Sequence, residues 1–234
     1  MIKALVVEDS GLMRIRVTNV LRSDRAIKVI GTAKNGAEGL AAIRLKKPDV
    51  VITDMVMPEY DGLYLVKNAM KQHPVPIIVL SSLERKNAQI FEALALGAFE
   101  FLDKPRNARG LGFNQPLINL VKAAASVDIT TLCKSSVKNN GHCHHFSDEL
   151  MCNVVAVWAS TGCPGAIECL LRGLPSNLPV SLVIAQHMPP RFIESFADRL
   201  DTLCGLNVRV ATIGDVLESN NVYICNGEQN IVLA

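Results

Sequence analysis

The chain has 234 residues, enough for one large domain or two small ones, and is 49% hydrophobic against 20% charged, an ordinary globular balance with ample core. Its net charge of +2 comes from 24 Lys and Arg scattered among 22 Asp and Glu, which gives no electrostatic ground for nucleic acid as the main partner. Seven Cys, an odd number without framework spacing, read as reduced thiols of a cytoplasmic protein, and no apolar stretch approaches membrane length, so no membrane insertion is expected.

The first apolar run, Ala4–Val7, is too short for a signal peptide and reads as a strand ending in Glu8-Asp9-Ser10. Leu12, Ile15, Val20 and Leu21 then recur at roughly helical spacing. Ile27–Ile30 is a second strand, and the Ala- and Leu-rich stretch from Ala37 to Lys46 a second helix. Val50–Thr53 is a third strand that stops at Asp54, with Pro58 barring its continuation, and Leu63–Gln72 a third helix. Pro76–Leu80 runs into Ser81-Ser82, Asn87–Leu96 is a helix closed by Gly97, Phe99–Leu102 runs into Asp103-Lys104-Pro105, and Leu117–Ala125 completes the alternation.

Five strands, mostly apolar throughout and each followed by a helix, predict a doubly wound parallel (βα)5 sheet buried on both faces. In such a sheet the binding crevice lies at the carboxyl ends of the strands. Glu8, Asp9, Asp54, Ser81 and Lys104 are therefore expected to meet there. Three clustered carboxylates repel one another unless a divalent cation sits among them, and hard oxygen ligands suit Mg²⁺. Asp54 is then placed to attack a phosphoryl group and form an acyl phosphate, with Lys104 holding one oxygen and the Ser81 hydroxyl another. Each residue also has a plainer reading. Glu8, Asp9 and Ser10 can cap a helix, Ser81 can be a turn residue, and Lys104 can be a surface charge before a proline.

Val6-Val7-Glu8-Asp9-Ser10, Thr53-Asp54-Met55-Val56-Met57-Pro58, Asp61-Gly62, Leu80-Ser81-Ser82 and Lys104-Pro105 together resemble the receiver domain of two-component response regulators, over about residues 2–124. The resemblance implies Asp54 as the phosphoacceptor. It implies Glu8, Asp9 and Asp54 with the Val56 backbone carbonyl as Mg²⁺ ligands, Ser81 as the switch hydroxyl and Phe101 as the switch aromatic. It also implies a sensor histidine kinase as phosphodonor.

From Ser126 to Leu150 the apolar pattern fades into Ser, Lys, Asn, Gly and His, as in an exposed connector. Within it, Cys143 with His142, His144 and His145 lie too close in sequence to converge on one tetrahedral metal ion. The expected layout is therefore a receiver at 1–124, a linker at 125–150 and a second α/β domain at 151–234.

In that second part Val154–Val157 runs into Trp158-Ala159-Ser160-Thr161-Gly162, and a helix starts at Pro164 and ends near Arg172. Val180–Ala185 runs into Gln186-His187-Met188-Pro189-Pro190, and Phe192–Leu203 is a further helix. A short crossover makes the two strands parallel neighbours that end on one edge, which would bring Ser160 and His187 within reach of each other. A Ser beside a His is the core of nucleophilic acyl transfer. The plainer readings are a helix N-cap at Ser160 or Thr161 and a structural histidine.

Ala159-Ser160-Thr161-Gly162, Gln186-His187-Met188-Pro189, Phe196-Ala197-Asp198-Arg199-Leu200 and Gly214-Asp215-Val216-Leu217 with Val222-Tyr223-Ile224 resemble the catalytic domain of CheB-type chemotaxis protein-glutamate methylesterases. That implies hydrolysis of glutamate methyl esters, and deamidation of glutamines, on methyl-accepting chemoreceptors. Ser160 would be the nucleophile and His187 the general base, in a monomer whose receiver covers the site until Asp54 is phosphorylated. Three departures accompany it. The family's Gly-Ala-Ser-Thr-Gly-Gly begins here with Trp158, whose ring should crowd a tight turn, and ends with Cys163. The usual Pro-Gly after the Val-Tyr-Ile strand is Asn226-Gly227. The chain stops at Ala234, before the segment that carries the triad's Asp, so a C-terminally truncated member is expected; neither Asp201 nor Asp215 matches that motif. The alternative is a catalytically dead regulator that acts by phospho-dependent binding or as a phosphate sink. A DNA-binding output is disfavoured, since no basic recognition helix follows the linker.

Overall fold

A computed structural model describes residues 1–81, 87–105, 112–127, 154–159, 164–186, 188–225 and 232. The chain divides into two compact units, 1–135 and 136–234.

Unit 1 alternates β1 (Ile2–Val7), α1 (Gly11–Arg22), β2 (Ile27–Ala33), α2 (Gly36–Lys46), β3 (Val50–Asp54), α3 (Gly62–Gln72), β4 (Ile77–Ser81), α4 (Asn87–Ala95), β5 (Glu100–Asp103) and α5 (Asn114–Ala125). Its strands form one parallel sheet in the order β2-β1-β3-β4-β5, the doubly wound arrangement that the uniformly apolar strands predict. Successive strand residues serve opposite faces. Ala4, Val6, Val50, Ile52, Ile78 and Leu80 pack with Val17 and Leu21 of α1 and with Leu117 and Val121 of α5. On the other face Val7 lies so close to α2 that a Cβ on Gly39 would stand 3.0 Å from it. Fully burying each such aliphatic side chain contributes roughly 1.5–3 kcal/mol relative to exposure, so the sheet is a rigid base for its loops.

The helix starts follow local chemistry. Asn35 caps α2 by accepting from Glu38 N–H at 2.9 Å, and Asp61 caps α3 by accepting from Tyr64 N–H at 2.8 Å. The Asp61-Gly62 pair therefore ends the loop after β3 and fixes where α3 begins.

Unit 2 runs β6 (Val154–Ala159), α6 (Pro164–Arg172), β7 (Ser181–Gln186), α7 (Pro190–Leu203), β8 (Asn207–Val210) and β9 (Asn221–Ile224). The four strands are parallel in the order β6-β7-β9-β8. Phe192, Ile193, Phe196, Ala197 and Leu200 form one buried stripe along α7. Arg199, between them in sequence, reaches back to α6. Its Nε and a terminal nitrogen both lie 3.1 Å from Glu168 Oε2, while Arg172 holds Oε1 at 3.0 Å. Glu168 is buried, so its charge depends on these partners.

Truncating Arg199 to Ala should strand that carboxylate and destabilise the unfolding transition of unit 2 by about 2 kcal/mol, less than for a fully buried pair because Arg199 is partly exposed. Arg172→Ala removes a half-exposed i,i+4 partner and should cost about 0.5 kcal/mol or less. Urea unfolding of the two variants checks the ranking, and equal losses would contradict it.

Candidate functional site

The carboxyl edge of the first sheet collects the polar residues that end its strands. β1 and β3 are neighbours at the point where strand order reverses, so Glu8 and Asp9 emerge beside Asp54. β4 and β5 pair with Ser81 opposite Asp103, and Lys104 N–H donates to the Ser81 carbonyl at 2.8 Å. That bond fixes the base of the Lys104 side chain over the same edge. Its ammonium Nζ lies 2.7 Å from Asp54 Oδ2 and 2.8 Å from Glu8 Oε2. Glu8 and Asp54 are buried, whereas Asp9 is exposed.

Burial pushes the Glu8 carboxyl up to about 7, against the pull of Lys104 and with the help of the Asp54 charge. Burial also raises the Asp54 carboxyl, opposed by Lys104 and by the Val56 backbone N–H, which donates to it. Two buried acids share one ammonium, and that single cation leaves both short of charge compensation. Glu8 Oε2 feels Lys104 as an ion pair but has no aligned hydrogen-bond donor. An oxygen of each of Glu8, Asp9 and Asp54 lies within 4.8 Å of the others. Three carboxylates gathered around one ammonium, in an all-oxygen set, fit a hard divalent cation such as Mg²⁺.

The surrounding loop is built to keep this edge clear. Gly62 N–H donates to the Met55 carbonyl at 3.0 Å, and a Cβ on Gly62 would collide with the Asp54 carbonyl oxygen and approach Met55 Cα to 2.9 Å. Only glycine lets α3 start this close to Asp54. Glu59 takes a left-handed conformation (φ 63°) in the same loop. Ser10 is the helix cap that the plainer reading expects, and it also touches Glu8. Its side chain caps α1 at Met13 N–H, and its N–H donates to Glu8 Oε1 at 3.3 Å. Ser81 and Phe101 are buried in β4 and β5, and Val56 is exposed beside Asp54. Gly62, already part of the Asp61-Gly62 motif, and Arg14, which did not stand out in the sequence, border the site. Arg14 acts by folding its side chain back on the turn that precedes it, and Gly62 by having no side chain.

In unit 2, the register pairs Trp158 with Ala185 and Ala159 with Gln186. β6 and β7 thus end side by side on one edge. Ser160 and His187 are the next residues in sequence, and both lie outside the described residues, as do Thr161 to Cys163 and the Cys143 and His142–His145 cluster. Trp158 belongs to β6, which continues through Ala159, and is 90% exposed; the turn that it was expected to crowd lies outside the described residues. Asp201 and Asp215 are both engaged in local structure. Asp201 accepts from Val208 N–H at 2.8 Å, and Asp215 binds Arg209 and the Thr212 N–H, each at 2.8 Å. Arg209 also stacks on Tyr223, 4.7 Å from the ring centre, and Tyr223 OH donates to the Val216 carbonyl. The Gly214–Leu217 and Val222–Ile224 motifs therefore fasten one loop to the sheet.

Comparison with known proteins matches residues 4–112 to the response regulator receiver domain and residues 155–234 to the CheB methylesterase family. The chain is 35% identical over 249 residues to a protein-glutamate methylesterase/protein-glutamine glutaminase of Symbiobacterium thermophilum, covering 99% of this chain and 69% of that one. It is 35% identical over 242 residues to a Methanosarcina mazei protein named as the second such enzyme, covering 98% and 66%. The chain thus spans about two thirds of the length of these relatives. Among solved structures, the response regulator domain of Thermotoga maritima CheB is similar at 36% identity and a TM-score of 0.49, covering 55% of this chain and 98% of that one.

The raised Glu8 carboxyl gives a signed pH dependence. A group that keeps its proton to about 7 when folded, against 4.5 for the free side chain, binds more protons in the folded state across that window. Stability without a divalent cation should therefore fall as pH rises from about 5 to about 7.5, and Asp54, raised as well, adds in the same direction. Millimolar Mg²⁺ should restore most of the loss at the upper pH. Glu8→Gln should flatten the slope, and melting temperatures across that range, with and without Mg²⁺, test both statements.

Proposed function

The chain belongs to the CheB-type protein-glutamate methylesterase family, whose members carry a response-regulator receiver, and from that premise we propose a phosphorylation-controlled esterase of the chemotaxis machinery. It hydrolyses glutamate methyl esters, and deamidates glutamines, on methyl-accepting chemoreceptors in the cytoplasm. Its phosphodonor is a sensor histidine kinase, and it works as a monomer. The layout is a receiver at 1–124, a linker at 125–150 and a methylesterase portion at 151–234. Among the described residues no helix is long and apolar enough to cross a membrane.

In the receiver, an Asp54 carboxylate oxygen attacks the phosphorus of the kinase's phosphohistidine; the P–N bond breaks, the imidazole leaves and takes up a proton, and Asp54 carries the acyl phosphate. Glu8, Asp9 and Asp54, with the Val56 carbonyl, would hold Mg²⁺, which supplies positive charge against the phosphoryl oxygens. Lys104, already 2.7 Å from Asp54, pairs with a phosphoryl oxygen, and Ser81 donates its hydroxyl to another. Phe101, at the end of the same sheet, responds to the movement of Ser81 and transmits it.

In the second unit, Ser160 is the nucleophile and His187 the general base. His187 takes the hydroxyl proton as Ser160 adds to the ester carbonyl. Methanol then leaves, and water releases the glutamate in a second step. The observation that supports this reading is the register that pairs Ala159 with Gln186, the residues that precede Ser160 and His187 in sequence. The start of α6 at Pro164, shortly after Ser160 in sequence, suits an oxyanion, because helix N-termini present free backbone N–H groups.

Methanol release from methylated chemoreceptor membranes tests the proposal. Treating the chain with a small-molecule phosphodonor should raise release, and Asp54→Asn should remove that rise. Ser160→Ala should lower release by on the order of 10³-fold or more. No release from a chain that is phosphorylated on Asp54 would overturn the esterase assignment and leave a binding regulator.

A further inference from the structure

We propose that Arg14 is a positioning residue for the phosphoacceptor pocket, holding the turn of Glu8, Asp9 and Ser10 in the shape that aims its carboxylates at a divalent cation. The inference rests on the reading of that pocket as a Mg²⁺ site.

The turn has three residues in which to pass from β1 into α1. Its entry is fixed by Glu8 N–H, which donates to the Ala33 carbonyl at 3.0 Å. Its exit is fixed by the first helical bond, from Arg14 N–H to the Ser10 carbonyl at 2.8 Å. The carbonyls of Glu8 and Asp9 precede that bond, so the helix ladder does not hold them. The Arg14 side chain folds back to do so. One guanidinium nitrogen, Nη1, donates to the Glu8 carbonyl at 2.6 Å and to the Asp9 carbonyl at 3.1 Å. A single charged donor shared by two successive carbonyls fixes the peptide planes between them, and with them the directions in which the two side chains leave the backbone. On the inner side, Ser10 N–H holds Glu8 Oε1, while Oε2 faces the Lys104 ammonium at 2.8 Å. The turn's backbone is thus gripped from the Arg14 side, and the Glu8 carboxylate from the Ser10 and Lys104 side.

Two bland alternatives differ in what they predict. If Arg14 acts only as a positive charge near the site, its removal should tighten Mg²⁺ binding, since like charges repel. If it merely fastens a loop, its removal should lower the melting temperature and leave the affinity alone. Positioning predicts weaker binding, because outer groups that orient metal ligands are typically worth 10- to 100-fold in affinity.

Calorimetric titration of MgCl₂ into the full chain, beside Arg14→Ala and Arg14→Lys, separates them. The Ala variant should bind roughly 10-fold more weakly. The Lys variant can still place an ammonium against the two carbonyls and should recover at least half of that loss on a logarithmic scale. If Arg14→Ala does not fold by circular dichroism, Arg14→Gln, which keeps a donor without the charge, takes its place in the comparison. An affinity within twofold of the parent chain, or tighter, would overturn the proposal. A parent chain that binds no Mg²⁺ would overturn the reading of the pocket itself, and the inference with it.

Discussion

The Lys104 ammonium, 2.8 Å from Glu8 and 2.7 Å from Asp54, is what allows two buried carboxylates to share one end of the first sheet. Neither acid would remain charged there alone, since burial already pushes both carboxyls upward. The lysine is held in turn by the pairing of β4 with β5, which seats its backbone against Ser81. A single cation between two acids is an incomplete balance. It leaves a site that gains from a divalent cation and from a group, such as a phosphoryl, that gives the lysine a new partner. The proposed switch would use that imbalance, with the ligand changing which groups the lysine pairs with.

Much of this architecture was legible in the sequence. Runs such as Val50–Ile52 and Ile77–Leu80 are apolar at every position, which in a chain that alternates with helices signals strands covered on both faces. Once the sheet is parallel, topology alone brings the strand-end residues Glu8, Asp54 and Lys104 to one edge. What was not legible depends on contacts that no local pattern encodes. The strand Asn207–Val210 is short and alternates polar with apolar, so it is defined by its pairing with β9 rather than by its composition. The helix α5 starts at Asn114, three residues before the first apolar anchor Leu117, because it has no side-chain cap to mark its beginning. Arg14 matters through a side chain that folds back on the preceding turn, which leaves no periodic trace.

The second unit shows the same economy of signal. Its motif residues divide into those that build and those proposed to react. Phe196, Ala197 and Leu200 are core, Arg199 ties α7 to α6, and Asp215 and Tyr223 fasten the loop after β8. A family motif read only as a catalytic mark would have missed how many of its positions hold the scaffold. Trp158 is an exposed strand residue, because β6 runs two residues further than its apolar run suggests.

The claim at the centre of this account is that Lys104 exchanges partners when Asp54 is modified. A crystal structure of the chain with beryllofluoride, a phosphoryl mimic, and Mg²⁺ addresses it most directly. The account predicts beryllium bonded to the Asp54 carboxylate, the cation among Glu8, Asp9 and Asp54, and the Lys104 ammonium withdrawn from Glu8 to a fluoride. Beryllofluoride absent from Asp54, or bound there with Lys104 still 2.8 Å from Glu8, would contradict it.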